Sequence, residues 1–255
     1  MNRTKACLAV AGVTAGIACA PAAHSNLMLS GTVNGANFCA SDNNIPCNFG
    51  TQLSDTSATI GILGLGSSAT PVMLNGVSIL GSVQTQVIGP PGILNSTSLT
   101  ILNLNNTPAS ATVAVSGTGF AGPSTEAFLA GSGTWQSAIG SSIALAWYND
   151  PLNSQGAETS TDTPGQLLST FSDTATLLVD SFSTAQGPIA VNNVGPYSMT
   201  FTFALNLVGG GSLISRGQNE VELNTPVPEP ETYAMLLAGL GLVGFVARRR
   251  NQKAA

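Results

Sequence analysis

The chain has 255 residues, of which only 7% are charged, 43% are hydrophobic and 29 are glycine. The charges are segregated: Arg3 and Lys5 stand at the start, Arg248, Arg249, Arg250 and Lys253 at the end, and between Ala23 and Pro226 ten carboxylates meet a single cation, Arg216, for a net charge of −9. Such a body has nothing to neutralise phosphates, which excludes nucleic acid as a partner, and the one histidine, His24, lies beside the expected cleavage point, which argues against Ser-His-Asp or Cys-His catalysis and against a histidine-ligated metal.

Arg3 and Lys5 precede an apolar run of 13 residues, Ala6 to Ala18, which is too short to span a bilayer comfortably. Ala20-Pro21-Ala22 follows with a small-x-small pattern. This is the layout of a secretory signal peptide, residues 1–22, cut between Ala22 and Ala23, with the position after Ser25 as second choice. It implies the Sec translocon and a signal peptidase as partners. Cys7 and Cys19 would leave with this segment. Cys39 and Cys47 remain, and in an oxidising compartment they are expected to form a disulfide that closes a small Asn-rich loop, contributing about 2–3 kcal/mol. With no histidine or further cysteine at hand, no metal is expected there, and no cofactor is expected in the chain.

Residues 23–224 form the expected β-rich extracytoplasmic domain. They carry short apolar segments separated by turn residues, and no long stretch of helical periodicity. Expected strands are Ala58–Leu65, Pro71–Leu80, Val83–Ile88, Ser98–Leu104, Ala111–Ser116, Ser142–Tyr148, Ala175–Val179 and Tyr197–Leu207. In the last, Tyr197, Met199, Phe201, Phe203, Leu205 and Leu207 alternate with small and polar residues, which puts one face into a core and the other into water. Gly209-Gly210-Gly211 ends it and is expected to lead by a hairpin to Leu213-Ile214 or to Val221–Leu223. Glu126–Gly131 reads as one short helical turn, and Asn149–Gly165 as a long polar loop. The pattern is all-β, an antiparallel sandwich or jelly roll; no fixed repeat supports a parallel solenoid.

Candidate chemistry in this body is sparse. Asp150, Glu158 and Asp162 share the long loop but match no calcium-loop spacing, so a solvated loop is expected. Asp173 and Asp180 read as strand-end surface charges, and no carboxylate pair is identifiable for glycoside hydrolysis. Trp135, Trp147 and Tyr148 are expected in the core in preference to a sugar-stacking platform. Thr200 and Thr202 form a short T-x-T piece without the repeated array that ice binding needs. Glycosylation patterns at Asn95-Ser96-Thr97 and Asn105-Asn106-Thr107 are no more than chance supplies in an Asn- and Thr-rich chain.

The C-terminus is more specific. Residues 225–231, T-P-V-P-E-P-E, hold three prolines in alternating positions, which keeps the strip extended and open to a protease. Residues 232–247 follow as a single transmembrane helix. The uncharged stretch Tyr233–Ala247 spans about 22 Å, short of a hydrocarbon core of roughly 30 Å, a deficit that snorkelling arginines can offset. Residues 248–255 form a basic cytoplasmic tail in which Arg248, Arg249 and Arg250 act as the positive-inside stop. The three parts in order, with Val227, Pro228, Glu229, Pro230 and Glu231 as the motif, resemble the PEP-CTERM sorting signal of Gram-negative bacteria, a tail also named ice-binding protein C-terminal domain. The resemblance implies recognition by an exosortase, a membrane protease-transpeptidase, and an association with exopolysaccharide and biofilm matrix.

The expectation is an exported protein without catalytic activity, anchored in the inner membrane before processing and then placed at the cell surface or in the extracellular matrix. Its role there would be structural or adhesive. A secreted carbohydrate-binding module or hydrolase carrying the same tail is the alternative.

Overall fold

The two-residue period that marks Tyr197–Leu207 in the sequence recurs in much of the body, and it builds two sheets packed face to face, antiparallel throughout except where Thr51–Gln52 pairs in parallel with Ala36–Ser41. The structure is a computed structural model and describes residues 26–86, 92–215 and 219–224. The expected signal peptide with its Ala22-Ala23 junction, the Pro-rich strip, the transmembrane helix and the basic tail lie outside the described residues. In chain order the strands are β1 Leu27–Val33, β2 Ala36–Ser41, β3 Thr51–Gln52, β4 Ile62–Leu65, β5 Val72–Leu74, β6 Val77–Gln86, β7 Gly92–Asn103, β8 Ala109–Phe120, β9 Ser124–Gln136, β10 Ser142–Asp150, β11 Gln166–Thr174, β12 Val179–Asn193, β13 Tyr197–Leu207, β14 Ser212–Ser215 and β15 Asn219–Asn224. One three-residue 3-10 turn, Asp42–Asn44, completes the set; among the described residues no helix is long and apolar enough to cross a membrane.

The first sheet runs β11-β10-β13-β8-β1-β2-β3, and the second runs β12-β9-β14-β7-β6-β4. β14 and β15 both lie between β7 and β9, one beyond the other: Ser212 faces Leu102 and Gln136, and Leu223 faces Gly92 and Ala127. The core is the space between the sheets. From the first sheet it receives Leu29, Val113, Val115, Leu145, Trp147 and the alternating apolar set of β13; from the second, Ile79, Leu94, Ile101, Leu129, Trp135 and Leu213. Each of these is removed from water, at roughly 25 cal/mol per Å² of apolar surface, and this is what holds the layers together.

Polar fasteners join the layers as well. The Trp135 indole donates to Asp173 Oδ2 at 2.9 Å, from β9 of one sheet to β11 of the other. Asn149 on β10 and Asn193 on β12 exchange amide hydrogen bonds of 2.9 and 3.0 Å, and Asn193 also donates to Ser124 Oγ at 2.7 Å. Asn103 on β7 donates to the carbonyls of Leu207 and Val208 at 3.1 and 3.0 Å. All three asparagines are buried, so their amides need these partners.

Several expectations change. β13 has the expected bounds, but the triple glycine does not form a hairpin; it carries the chain from the first sheet to the second. Pro71–Leu80 is itself a hairpin, with Asn75 and Gly76 at φ 45° and 78°, as a two-residue turn between β5 and β6 requires. Glu126–Gly131 is strand, part of β9. Ala175–Leu178 is the loop between β11 and β12. β9 lacks the strand signal in its sequence because its inner face carries glycine at Gly131 and Gly133 where a hydrophobe would mark the period. A Cβ on Gly133 would stand 2.7 Å from the Phe182 ring, so a side chain from β12 fills the space.

The strand directions sort the ends of the sandwich. β1 begins where β8 ends, with Leu27 facing Gly117, and β15 ends where β9 begins, with Asn224 facing Glu126. Three residues, 121–123, join those two strand ends. Residues 26 and 224 therefore leave the body at one end, and the loops 34–35, 75–76, 104–108, 137–141, 175–178 and 208–211 gather at the other.

Candidate functional site

The long polar loop, 151–165, is folded down onto the outer face of the first sheet. The Gly156 N–H donates to Ser116 Oγ at 3.1 Å, Ser116 Oγ lies 2.9 Å from Thr200 Oγ1, and Ser160 Oγ lies 3.0 Å from Thr32 Oγ1. Gly119 N–H donates to Asn153 Oδ1 at 2.8 Å. The expectation of a solvated loop holds for most of it, Glu158 included, but Gly156, Ala157 and Ser160 are buried. So are Ser198 and Thr200, which the alternation of β13 had placed in water. The sheet offers hydroxyls rather than apolar groups on this face, and the loop supplies partners for two of them, Ser116 and Thr32.

The described residues contain no lysine, arginine or histidine, so the carboxylates are held by hydrogen-bond donors instead. Asp150 accepts from the N–H groups of Leu152 and Ser154 at 3.0 and 2.9 Å; burial pushes its carboxyl up, but these bonds outweigh burial and hold it below the usual carboxylate range. Asp162 accepts from Glu158 N–H at 3.2 Å. Asp180 accepts from the N–H and hydroxyl of Thr176 and from Ser181 N–H, and the Thr176 amide chiefly keeps its carboxyl low. Asp55 accepts from Ser57 and Gly64 N–H, and Asp42 from Gly61 N–H. Asp173 takes the Trp135 indole. These six aspartates act as clamps on loops and layers. Asp150, Glu158 and Asp162 shape one loop, and Asp173 and Asp180 bind separate partners.

Trp135 and Trp147 are in the core, at 0% and 1% exposure, as expected. Asn95 is 4% exposed on β7, so its sequon is not open to a glycosylating enzyme in the folded protein. Cys39 and Cys47 are joined, with an S–S distance of 1.98 Å and Cα atoms 6.2 Å apart. This bond ties the segment after the 3-10 turn to β2.

Two concavities lie on the first sheet. One, about 380 Å³, sits over two cross-strand rows, Thr112–Ala204–Ala144–Ser172 and Thr202–Ala146–Thr170. It holds no charged or aromatic side chain on its outer face. The other, about 360 Å³, lies between the disulfide-closed segment and the folded-down loop, lined by Met28, Pro46, Cys47, Asn48, Phe49, Glu158 and Thr159. It combines an aromatic ring, an amide, a hydroxyl and a carboxylate. No sequence signal marked it, because its residues come from three distant segments. A third feature is apolar: Ile139, Leu177, Leu178 and Val179, all more than half exposed, meet at the end opposite residues 26 and 224, where Ser137 N–H donates to Leu178 O.

The body is an antiparallel β-sandwich, and the sorting motif that follows it marks an exported protein. Residues 226–250 match the family described as the PEP-CTERM protein-sorting motif, so the chain carries that signal, over the residues where the sequence placed it. No curated protein matches the chain. Among solved structures it is similar to TmCBM61 in complex with beta-1,4-galactotriose, at 11% identity and TM-score 0.32, covering 57% of this chain and 88% of that one. It is also similar to the C-terminal CBM6 of LamC, a marine laminarinase from Zobellia galactanivorans (14% identity, TM-score 0.22, 64% and 99% covered). A third is the K1 cleaved adhesin domain of Lys-gingipain from Porphyromonas gingivalis W83 (8% identity, TM-score 0.29, 60% and 93% covered). Likenesses of this size assign neither ligand nor activity.

Proposed function

We propose that this chain is an exosortase substrate whose β-sandwich serves, once delivered, as a structural or adhesive protein in contact with exopolysaccharide at the cell surface or in the extracellular matrix. The observation that carries this reading is the sorting motif at residues 226–250. In it, residues 1–22 direct export and are removed after Ala22. Residues 232–247 then hold the chain in the inner membrane, with Arg248, Arg249 and Arg250 on the cytoplasmic side. The strip Val227–Glu231 meets the protease in extended form, because its prolines can join neither helix nor sheet ladder.

The body supports a role in contact rather than catalysis. Its two chain ends leave together, so a tether there keeps the far loops and both outer faces free. Its aspartates are engaged in holding loops. Among the described residues, the concavity over β8, β13, β10 and β11 has no carboxylate and the one beside the disulfide has only Glu158, whereas glycoside hydrolysis by the usual route needs a facing pair. A carbohydrate-binding module with the same tail is the second reading, favoured by the pocket that contains Phe49, Asn48 and Glu158.

Mass spectrometry of the surface-associated protein tests the sorting. The expected product begins at Ala23 and ends near the Pro-rich strip. Recovery only of polypeptide ending at Ala255, in cells that contain an exosortase, would refute it. Replacing Pro228, Glu229 and Pro230 together by alanine is expected to leave export intact and block processing.

A further inference from the structure

We infer that the pocket between the disulfide-closed segment and the 151–165 loop binds an uncharged pyranose unit of a glycan, with Phe49 and Met28 against the C–H face of the ring and Asn48 and Glu158 on its hydroxyls. The inference rests on the polysaccharide contact proposed above and gives it a place and a ligand class.

Its volume, about 360 Å³, falls at the lower end of ordinary small-ligand pockets, about 300–1,000 Å³. Both walls are fixed before any ligand arrives. One is tied to β2 by Cys39–Cys47, and by a hydrogen bond from the Ser41 hydroxyl to Ile45 O. The other is tied to the sheet through Gly156 and Ser160 and shaped by Asp150 and Asp162. A pre-formed site spares the ordering cost that a mobile loop would impose on binding.

The chemistry is mixed in the way a sugar needs. Phe49 and Met28 are half-buried, so part of each remains open to the pocket. Among the described residues neither the Asn48 amide nor the Glu158 carboxylate makes a side-chain hydrogen bond, whereas each of the six clamping aspartates accepts from a backbone N–H or an indole. An amide donates and accepts, and a carboxylate accepts from two neighbouring hydroxyls at once. Charge then selects among glycans. The body has a net charge of −9 and no cation among its described residues, so uronate, sulfate or phosphate groups are repelled. An ammonium-bearing glycan would be attracted to the whole acidic surface, not to this pocket in particular.

The test uses the full-length protein purified in detergent, titrated calorimetrically with neutral gluco- and galacto-oligosaccharides, chitosan oligosaccharides and oligogalacturonates. The expected result is saturable binding of a neutral oligosaccharide that changes little from low to high salt. Phe49→Ala is expected to weaken it about tenfold, equivalent to about 1.4 kcal/mol, with Asn48→Ala similar. Glu158→Gln, which keeps one acceptor oxygen, should weaken it less than Glu158→Ala. Thr202→Val, in the other concavity, should leave it unchanged. Asn48 and Glu158 are exposed, so their variants carry the test if Phe49→Ala fails to fold. Neutral-glycan binding that survives Asn48→Ala and Glu158→Ala overturns this site but leaves the polysaccharide contact standing. Binding confined to chitosan and abolished by salt overturns the ligand class. Absence of binding to every glycan overturns both the site and the polysaccharide contact, while the processing assay judges the sorting separately.

Discussion

Gly156→Ala measures how firmly the 151–165 loop is seated. A Cβ at this position would stand 2.6 Å from Thr200 Oγ1, 2.7 Å from Pro164 Cδ and 3.0 Å from Ser116 Oγ. Gly156 is outside the left-handed region, so alanine suffers no backbone strain and the cost is steric alone. The two hydroxyls cannot step aside freely, because they are buried and bonded to one another, and Ser116 Oγ also accepts the Gly156 N–H. Overpacking of this kind costs about 1–3 kcal/mol. In a domain of about 150–250 residues each kcal/mol lowers Tm by about 2–4 °C, so the expected drop is about 2–12 °C. Calorimetric melting gives the drop, and hydrogen exchange locates it: the Gly156 amide should lose protection while the amides of β8 and β13 keep theirs. Gly195→Ala, with nothing within 4 Å of its Cβ, is the matched control and should melt with the wild type. If Gly156→Ala melted at the wild-type temperature with its amide still protected, the loop would not be held in the way described.

Three further outcomes are expected. Asn193→Ala strands the buried Asn149 amide and the Ser124 hydroxyl, and chemical denaturation should show a loss of about 1–3 kcal/mol, with little added by Asn149→Ala in the double variant. Burial pushes the Tyr197 phenol to about 12; a raised acid contributes stability below its unfolded value of about 10 that is lost as pH rises towards 12. Phenolate absorbance should therefore show Tyr197 titrating together with unfolding, and Tyr197→Phe should remove that alkaline limb. Asp150 is lowered, so its clamp stabilises the fold above the unfolded carboxylate value of about 3.9 and loses its effect as pH falls below it; the Tm gap between wild type and Asp150→Ala should close under acid.

Much of the architecture was visible before the fold. β13 announced itself because each of its inward positions carries a large apolar residue, and the structure keeps its bounds. β9 and β12 did not. Gly133 leaves room that Phe182 fills from the neighbouring strand, so the burial is real but the period is interrupted. The triple glycine marked a change of direction correctly, yet whether the chain turned back within a sheet or crossed to the other depended on where β7 and β9 had left a gap. The pocket was invisible for a similar reason, since Met28, Asn48, Phe49 and Glu158 are apolar, polar and acidic residues of no special spacing until the fold brings them together.

The sequence by itself determined the sorting signal at residues 226–250 and the staple between Cys39 and Cys47. Charge placement, the length of an apolar run, alternating prolines and a pair of nearby cysteines act through local physics and need no fold to be read. Only the tertiary structure decided which polar groups meet water. Ser116, Ser198 and Thr200 look like a solvated face in their own strands, and whether they are one depends on a loop that returns to cover them from a distant part of the chain. Burial is a property of both partners, and a single segment records only one of them.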